Sequence, residues 1–273
     1  MSLKRSIVGV LGRLGLVEAV NEARGLTTLL KPGVATRNTG YRKHGGPDGW
    51  PVPSARLVYL VAGTYDIQWF LTLGERGAAT IRETLQRHDV APDKFESVLD
   101  FGCGCGRVIR HFSGLGGVRV CGTDYNPRLV DWCARHLTFA RFQTNDLAPP
   151  LSYDDRTFDF VYALSVFTHL DRDLQIAWID ELRRVVKPGG HLLLTMHGES
   201  YLPGLSDAER AVFHANQLVI RRAHLEGKNI CTSFCTEKYV RDNLSRGGRF
   251  VDFVPEGAKG NPTQDLYLLR FEG

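Results

Sequence analysis

The chain has 273 residues, 43% of them hydrophobic, enough for a sizeable core in one large domain or two ordinary ones. Lys plus Arg number 34 against 30 Asp plus Glu, and a formal net charge of +4 is too small to mark a nucleic-acid binder by itself. No apolar run reaches the roughly 20 residues of a membrane-spanning helix, and six cysteines without framework spacing fit reduced thiols in a cytoplasm.

At the start, Gly9, Gly12 and Gly15 interrupt the apolar core that a secretion signal behind Lys4 and Arg5 would need. Leu3, Ile7, Val10, Leu14, Val17 and Val20 instead recur at helical spacing and predict an N-terminal amphipathic helix. Its apolar face suits packing on the domain, a second copy in a homodimer, or a membrane surface reached through Lys4, Arg5 and Arg13. Residues 31–54 are dense in Gly, Pro and polar residues and predict a long loop. A helical stretch follows to about residue 88, with Tyr59, Tyr65, Trp69 and Phe70 gathered before Gly74. Residues 1–75 read as a helical extension on the lid or acceptor side, and 76–273 as the main domain.

From residue 97 strands alternate with helices, the pattern of a parallel sheet. "SVLDF" predicts the first strand and "GRVIRHF" the first helix; "VRVCGTD", "FARFQT", "FDFVYAL" and "HLLLTM" predict four more strands. "NPRLVDWCARHL" predicts a helix with Asn126 as cap and Pro127 in its first turn, and "DRDLQIAWIDELRRVVKPGG" a crossover helix stopped by Pro188-Gly189-Gly190. Residues 198–235 predict an irregular or helical insertion. A last helix, "TEKYVRDNLSRG", then leads into an antiparallel pair, "FVDFVP" and "QDLYLLRF".

Gly102, Gly104 and Gly106 fall between the first strand and its helix, where a tight turn needs unusual dihedrals and a ligand can approach the backbone. The dinucleotide fingerprint G-x-G-x-x-G fails, because Arg107 stands at its last glycine. Asp100 puts a carboxylate at the mouth of the loop, a poor neighbour for a pyrophosphate and a good one for an ammonium or sulfonium. Asp124 ends the second strand, where a carboxylate can accept from both hydroxyls of a ribose, and Asp146 follows the third, where it can accept from an adenine amine beside Asn145 and Leu147. Each acid alone also reads as a turn or cap residue.

"VLDFGCGCGR", "VCGTDYNP", "QTNDL", "FDFVYALSVFTHL" and "LRRVVKPGGHLLLT" resemble, in order, the motifs of the class I S-adenosylmethionine-dependent methyltransferases. The resemblance covers residues 97–197 and, more loosely, 236–271. It implies a Rossmann-like α/β fold, a seven-stranded mixed sheet of order 3-2-1-4-5-7-6 flanked by helices. It also implies S-adenosyl-L-methionine as cofactor, held by Asp100, Gly102, Cys103, Gly104, Asp124, Tyr125, Asn145, Asp146, Leu147 and Leu164, with Cys103 and Cys105 giving mainly backbone amides. No metal site is expected, since these cysteines lack partners at usable spacing.

An activated sulfonium methyl needs an acceptor held at attack distance, and a hydroxyl acceptor needs a base beyond strands four and five. His169 and His197 are so placed, His197 slightly the better; each also reads as a capping or core histidine. Tyr65 and Trp69 read as acceptor-pocket or core residues. The segment after strand four is "ALSVF", without the Asx-Pro-Pro-aromatic motif of nucleic-acid amino methyltransferases, so the expected acceptor is a small molecule rather than a nucleic acid. A sugar, a lipid or a secondary metabolite made in a biosynthetic pathway fits. The competing readings are a nicotinamide-dependent oxidoreductase and a non-catalytic cofactor-binding module.

Overall fold

The computed structural model describes residues 16–261 and 264–272. The described residues fall into two compact units, divided between Leu71 and Thr72. Most of the predicted N-terminal helix lies outside the described residues; α1 spans Leu16–Leu26. The expected loop at 31–54 contains a helix, α2, Val34–His44. Its polar composition hid it, because only Val34 and Asn38 of its side chains are buried. Asn38 donates to Tyr65 O at 2.7 Å and accepts from Ile67 N at 3.1 Å, which ties α2 to the turn after α3, Ala55–Ala62. Gly63, at φ +64, ends α3, and α4 then runs Ile67–Arg87.

The second unit is built on one sheet. β1 is Ser97–Phe101, β2 Arg119–Asp124, β3 Arg141–Thr144 and β4 Phe158–Ala163, all parallel, in the order β3-β2-β1-β4. β5, Val186–His197, runs parallel to β4. Between β2 and β3 lies α5, Pro127–His136, capped by Asn126, whose side chain accepts from Arg128 N. Between β4 and β5 lies α6, Arg172–Val185, capped by Asp171 and carrying Arg183 and Arg184 in its last turn, where cations favour the helix dipole. It ends before Pro188, and the Pro-Gly-Gly segment is already strand.

The predicted helix after β1 is replaced by turns and one short 3-10 segment, Ile109–Phe112. Left-handed glycines at 102, 104 and 106, followed by glycines at 114, 116 and 117 of which the last is also left-handed, leave fewer than two turns between them, too little to repay helix nucleation.

Residues 198–235 hold more order than expected: α7, Asp207–His214, with a Ser206/Glu209 capping box, and two short strands, β6, Val219–Arg221, and β7, Thr232–Phe234. After α8, Glu237–Asn243, come β8, Gly248–Val254, and β9, Gln264–Phe271. β9 pairs antiparallel with both β5 and β8. Among the described residues nine strands therefore share the sheet, and with the β6–β7 pair set aside the order is the expected 3-2-1-4-5-7-6. β9 occupies one edge of β5 from His191 to His197, so β7, which meets β5 at His197, takes the edge that β4 leaves after Ala163. The insertion thus adds two strands beyond the carboxyl end of β4. The core under the sheet centres on Trp178, Ile179, Leu182, Leu192, Leu194 and Tyr267, all almost fully buried.

Candidate active site

Parallel register brings the carboxyl ends of three strands together: Asp100 pairs with Gly122 and Tyr162, and Asp124 with Thr144, one residue before Asn145. Asp124 is 9% exposed and binds the loop to its neighbour helix, Oδ2 accepting from Gly104 N at 2.9 Å and Oδ1 from Asn126 N at 2.8 Å. Burial pushes its carboxyl up to about 6. Asp100 is 4% exposed and lies against the Tyr162 hydroxyl and Arg107; burial pushes it up to about 7, against the Tyr162 hydroxyl and the Arg107 charge, which pull it down.

Gly102, Gly104 and Gly106 all have positive φ. A Cβ at Gly102 would strike Val166, and one at Gly106 would strike Leu137. The bare backbone therefore admits the protein's own side chains. The loop amides are also consumed internally. Gly102 N and Cys103 N both donate to Thr123 O at 2.8 Å, Gly104 N donates to Asp124, and Gly106 N donates to Cys103 O. The Cys103 amide, expected to face the ligand, closes the turn on β2. Arg107, which broke the dinucleotide fingerprint, is 8% exposed and pins the end of the loop to the β8–β9 connection by donating to Gly260 O at 2.8 Å and Asn261 Oδ1 at 2.5 Å.

Tyr125 and Leu147 are 37% and 38% exposed, unusual for large apolar side chains in this unit, and stand past the ends of β2 and β3. Asn145 N donates to Asp124 O, and Asn145 Oδ1 is buried with no partner among the described residues. Asp146 is exposed beside it, and Leu164 is buried at the end of β4. Ser165, unremarked in the sequence, follows at φ +61, a costly conformation for a side-chain-bearing residue, held by Ser165 N donating to Thr195 Oγ1 and by Gln264 Nε2 donating to Ser165 Oγ. A left-handed serine leaves no signal in a single sequence.

The two histidines divide. His197 Nδ1–H donates to Ser233 O at 3.0 Å and Nε2 accepts from Gln264 Nε2 at 3.3 Å, while its ring packs on Tyr201 and Phe234 at 4.4 and 5.3 Å. Both nitrogens are engaged and burial pushes the imidazole down to about 4, so the slight preference for His197 as base does not match its contacts. His169 Nδ1–H donates to Cys231 O at 2.6 Å, which leaves the lone pair on Nε2, the tautomer of a base; burial lowers its pKa as well. Nitrogen NMR is expected to find His197 neutral and Nδ1-protonated down to about pH 5; titration near 6.5 would contradict the buried arrangement. Tyr65 is buried in the first unit, stacked on Tyr59 at 4.9 Å with its hydroxyl donating to Glu22 at 2.9 Å, and Trp69 is 40% exposed. No cluster of His, Cys, Asp or Glu among the described residues is arranged to hold a metal.

Sheet order, glycine turn and strand-end acids together define a class I methyltransferase fold. Residues 98–190 match the family model described as a methyltransferase domain, and that segment is a methyltransferase domain of the S-adenosyl-L-methionine-dependent type. The chain is 29% identical over 123 residues to a mitochondrial ubiquinone biosynthesis O-methyltransferase of Dictyostelium discoideum, covering 40% of this chain and 38% of the relative. It is 32% identical over 134 residues to a malonyl-[acyl-carrier protein] O-methyltransferase of Enterobacter lignolyticus, covering 48% of this chain and 51% of the relative. Other relatives are named for tRNA and phosphoethanolamine methylation. The chain thus spans about half or less of the curated relatives it matches. Among solved structures it is similar to 1,6-didemethyltoxoflavin-N1-methyltransferase of Burkholderia thailandensis, bound to its substrate and S-adenosylhomocysteine, with TM-score 0.54, 17% identity and coverage of 81% and 87% of the two chains. At that identity the likeness speaks for the fold.

Proposed function

We propose that this protein transfers a methyl group from S-adenosyl-L-methionine to a hydroxyl of a small molecule. The observation that carries the reading is the inward turn of the loop amides under strand-end carboxylates. A pyrophosphate needs free N–H donors, and here those donors are spent on Thr123, Asp124 and Cys103. What gathers at the strand ends is acidic and suits a cationic amino acid joined to a nucleoside. Asp100 would sit against the charged end, Asp124 would accept from the ribose, and Asn145, Asp146, Leu147 and Tyr125 would hold the ring. The unpartnered buried Asn145 Oδ1 fits such a donor-bearing ligand.

When bound, the sulfonium supplies an already activated methyl, so the protein's task is to place the acceptor, exclude water and take one proton. His169 is the candidate for that proton, with Cys231 O fixing its ring and Nε2 carrying the lone pair. The O-methyltransferase names of the two relatives support an oxygen acceptor, and the small net charge agrees with a small molecule. Six free buried thiols suit a reducing, cytoplasmic setting, and no helix among the described residues is long and apolar enough to cross a membrane.

Calorimetry with S-adenosylhomocysteine and with NAD tests the reading. Binding of the first in the micromolar range, with none of the second, is expected; binding of NAD alone would end it. Binding of S-adenosylhomocysteine without methyl transfer to any compound of a broad metabolite panel would favour a non-catalytic module.

A further inference from the structure

The insertion reaches the nucleoside end of the site. Between β6 and β7, Gly227 takes φ +79, and a Cβ on it would lie 2.6 Å from Leu147 Cδ1 and 3.5 Å from Tyr125 Cζ. The segment is fastened from below by the loop between β4 and α6. Gly227 N donates to His169 O at 2.9 Å, Glu226 Oε1 accepts from Asp171 N, and the His169 ring donates to Cys231 O at the far end of the segment. Three hydrogen bonds thus hold residues 226–231 on residues 169–171, while Gly227 stands over two exposed apolar side chains.

We infer that residues 222–231 form a strap that closes over the nucleoside of the bound cofactor and governs its release, an inference that rests on the proposed methyltransferase reading. Two features argue for a cover rather than a plain connection. Tyr125 and Leu147 stay more than a third exposed even with Gly227 against them, so the strap leaves part of both side chains open to a ligand. The contact also falls on a glycine in a left-handed conformation, so the strap meets these side chains with backbone and adds no side chain of its own there. The fastening residues make the strap continuous with the mount of His169, so the cover over the nucleoside and the orientation of the candidate base share one anchor.

Hydrogen exchange of the full chain, with and without S-adenosylhomocysteine, tests the strap. Saturating ligand is expected to slow exchange at amides 224–230 by about tenfold or more. Glu226→Gln, which weakens one fastening, is expected to raise the ligand dissociation rate about 5- to 10-fold with the association rate within about twofold. Gly227→Val, which drives a side chain against Leu147, is expected to weaken S-adenosylhomocysteine binding about tenfold or more and to lower the melting temperature by a few degrees, because a β-branched residue is strained at φ +79. Unchanged exchange at 224–230 in protein that binds the ligand would overturn the strap and leave the methyltransferase reading standing. Failure of the unaltered protein to bind S-adenosylhomocysteine would overturn both.

Discussion

Asp124→Ala is expected to weaken S-adenosylhomocysteine binding by about 1 to 3 kcal/mol, roughly 5- to 150-fold in Kd. Two losses add. The ribose hydroxyls lose a charged acceptor, and Gly104 N and Asn126 N, which now donate to its two oxygens, are left without partners at the turn that shapes the site. Asp124→Asn keeps one acceptor oxygen and should fall between the two. Affinity should also depend on pH with a defined sign. Burial raises the folded carboxyls of Asp124 and Asp100 to about 6 and about 7, so both are ionised above about pH 8 and take up protons below. The ionised forms attract a cation and accept more strongly from a hydroxyl than the protonated forms do, so affinity is constant on the alkaline side and declines as pH falls through 7 and then 6. For the fold the sign is opposite: raised carboxyl pKa values mean that the protonated form is the more stable, a contribution present below about pH 4 and lost as pH rises from there to about 7. Calorimetry across pH 5 to 9 measures the first, and an unchanged dissociation constant for Asp124→Ala would remove the residue from the site.

Gly74→Ala is expected to lower the melting temperature by about 5 to 10 °C, and its sign is the informative part. Alanine in a helix interior is favoured over glycine by about 1 kcal/mol, so propensity alone predicts a more stable protein. In the structure, however, a Cβ at Gly74 would strike the carbonyl oxygen of Arg107, and backbone cannot step aside as a side chain can. Overpacking of this kind costs about 1 to 3 kcal/mol and sometimes more, and here the upper end is expected. Gly260 shows the same closeness, with its missing Cβ 2.5 Å from the backbone of Gly77 and Leu73. α4 is thus seated directly on the end of the glycine loop and on the β8–β9 connection. Calorimetric melts of the variant decide the matter: a higher melting temperature would mean that the helix does not lie there.

Much of the second unit was legible because its signals are local. A continuous apolar run is a buried strand whatever surrounds it, and Asn126-Pro127 opens a helix by side-chain capping and a fixed φ within the same turn. The strand-end acids were legible because strand and helix alternate, so a residue that ends a parallel strand stands at one rim of the sheet. Three readings failed, the first two on contacts distant in the chain and the third on the shortness of the run itself. α2 is held by Asn38 across nearly thirty residues of chain, β7 joins the sheet only because β4 ends before β5 does, and the expected helix after β1 had too few residues between its glycines.

The sequence by itself determined the class of fold, the glycine turn and the row of carboxylates, since each follows from residue type and near-neighbour spacing. Only the tertiary structure decided what those groups touch. It turned the loop amides inward, engaged both nitrogens of His197 through Ser233 and Gln264, and brought Gly227 of the insertion over Tyr125 and Leu147. Such contacts join residues about 20 to more than 100 positions apart, and their geometry is set by how the whole sheet packs, which local spacing does not encode.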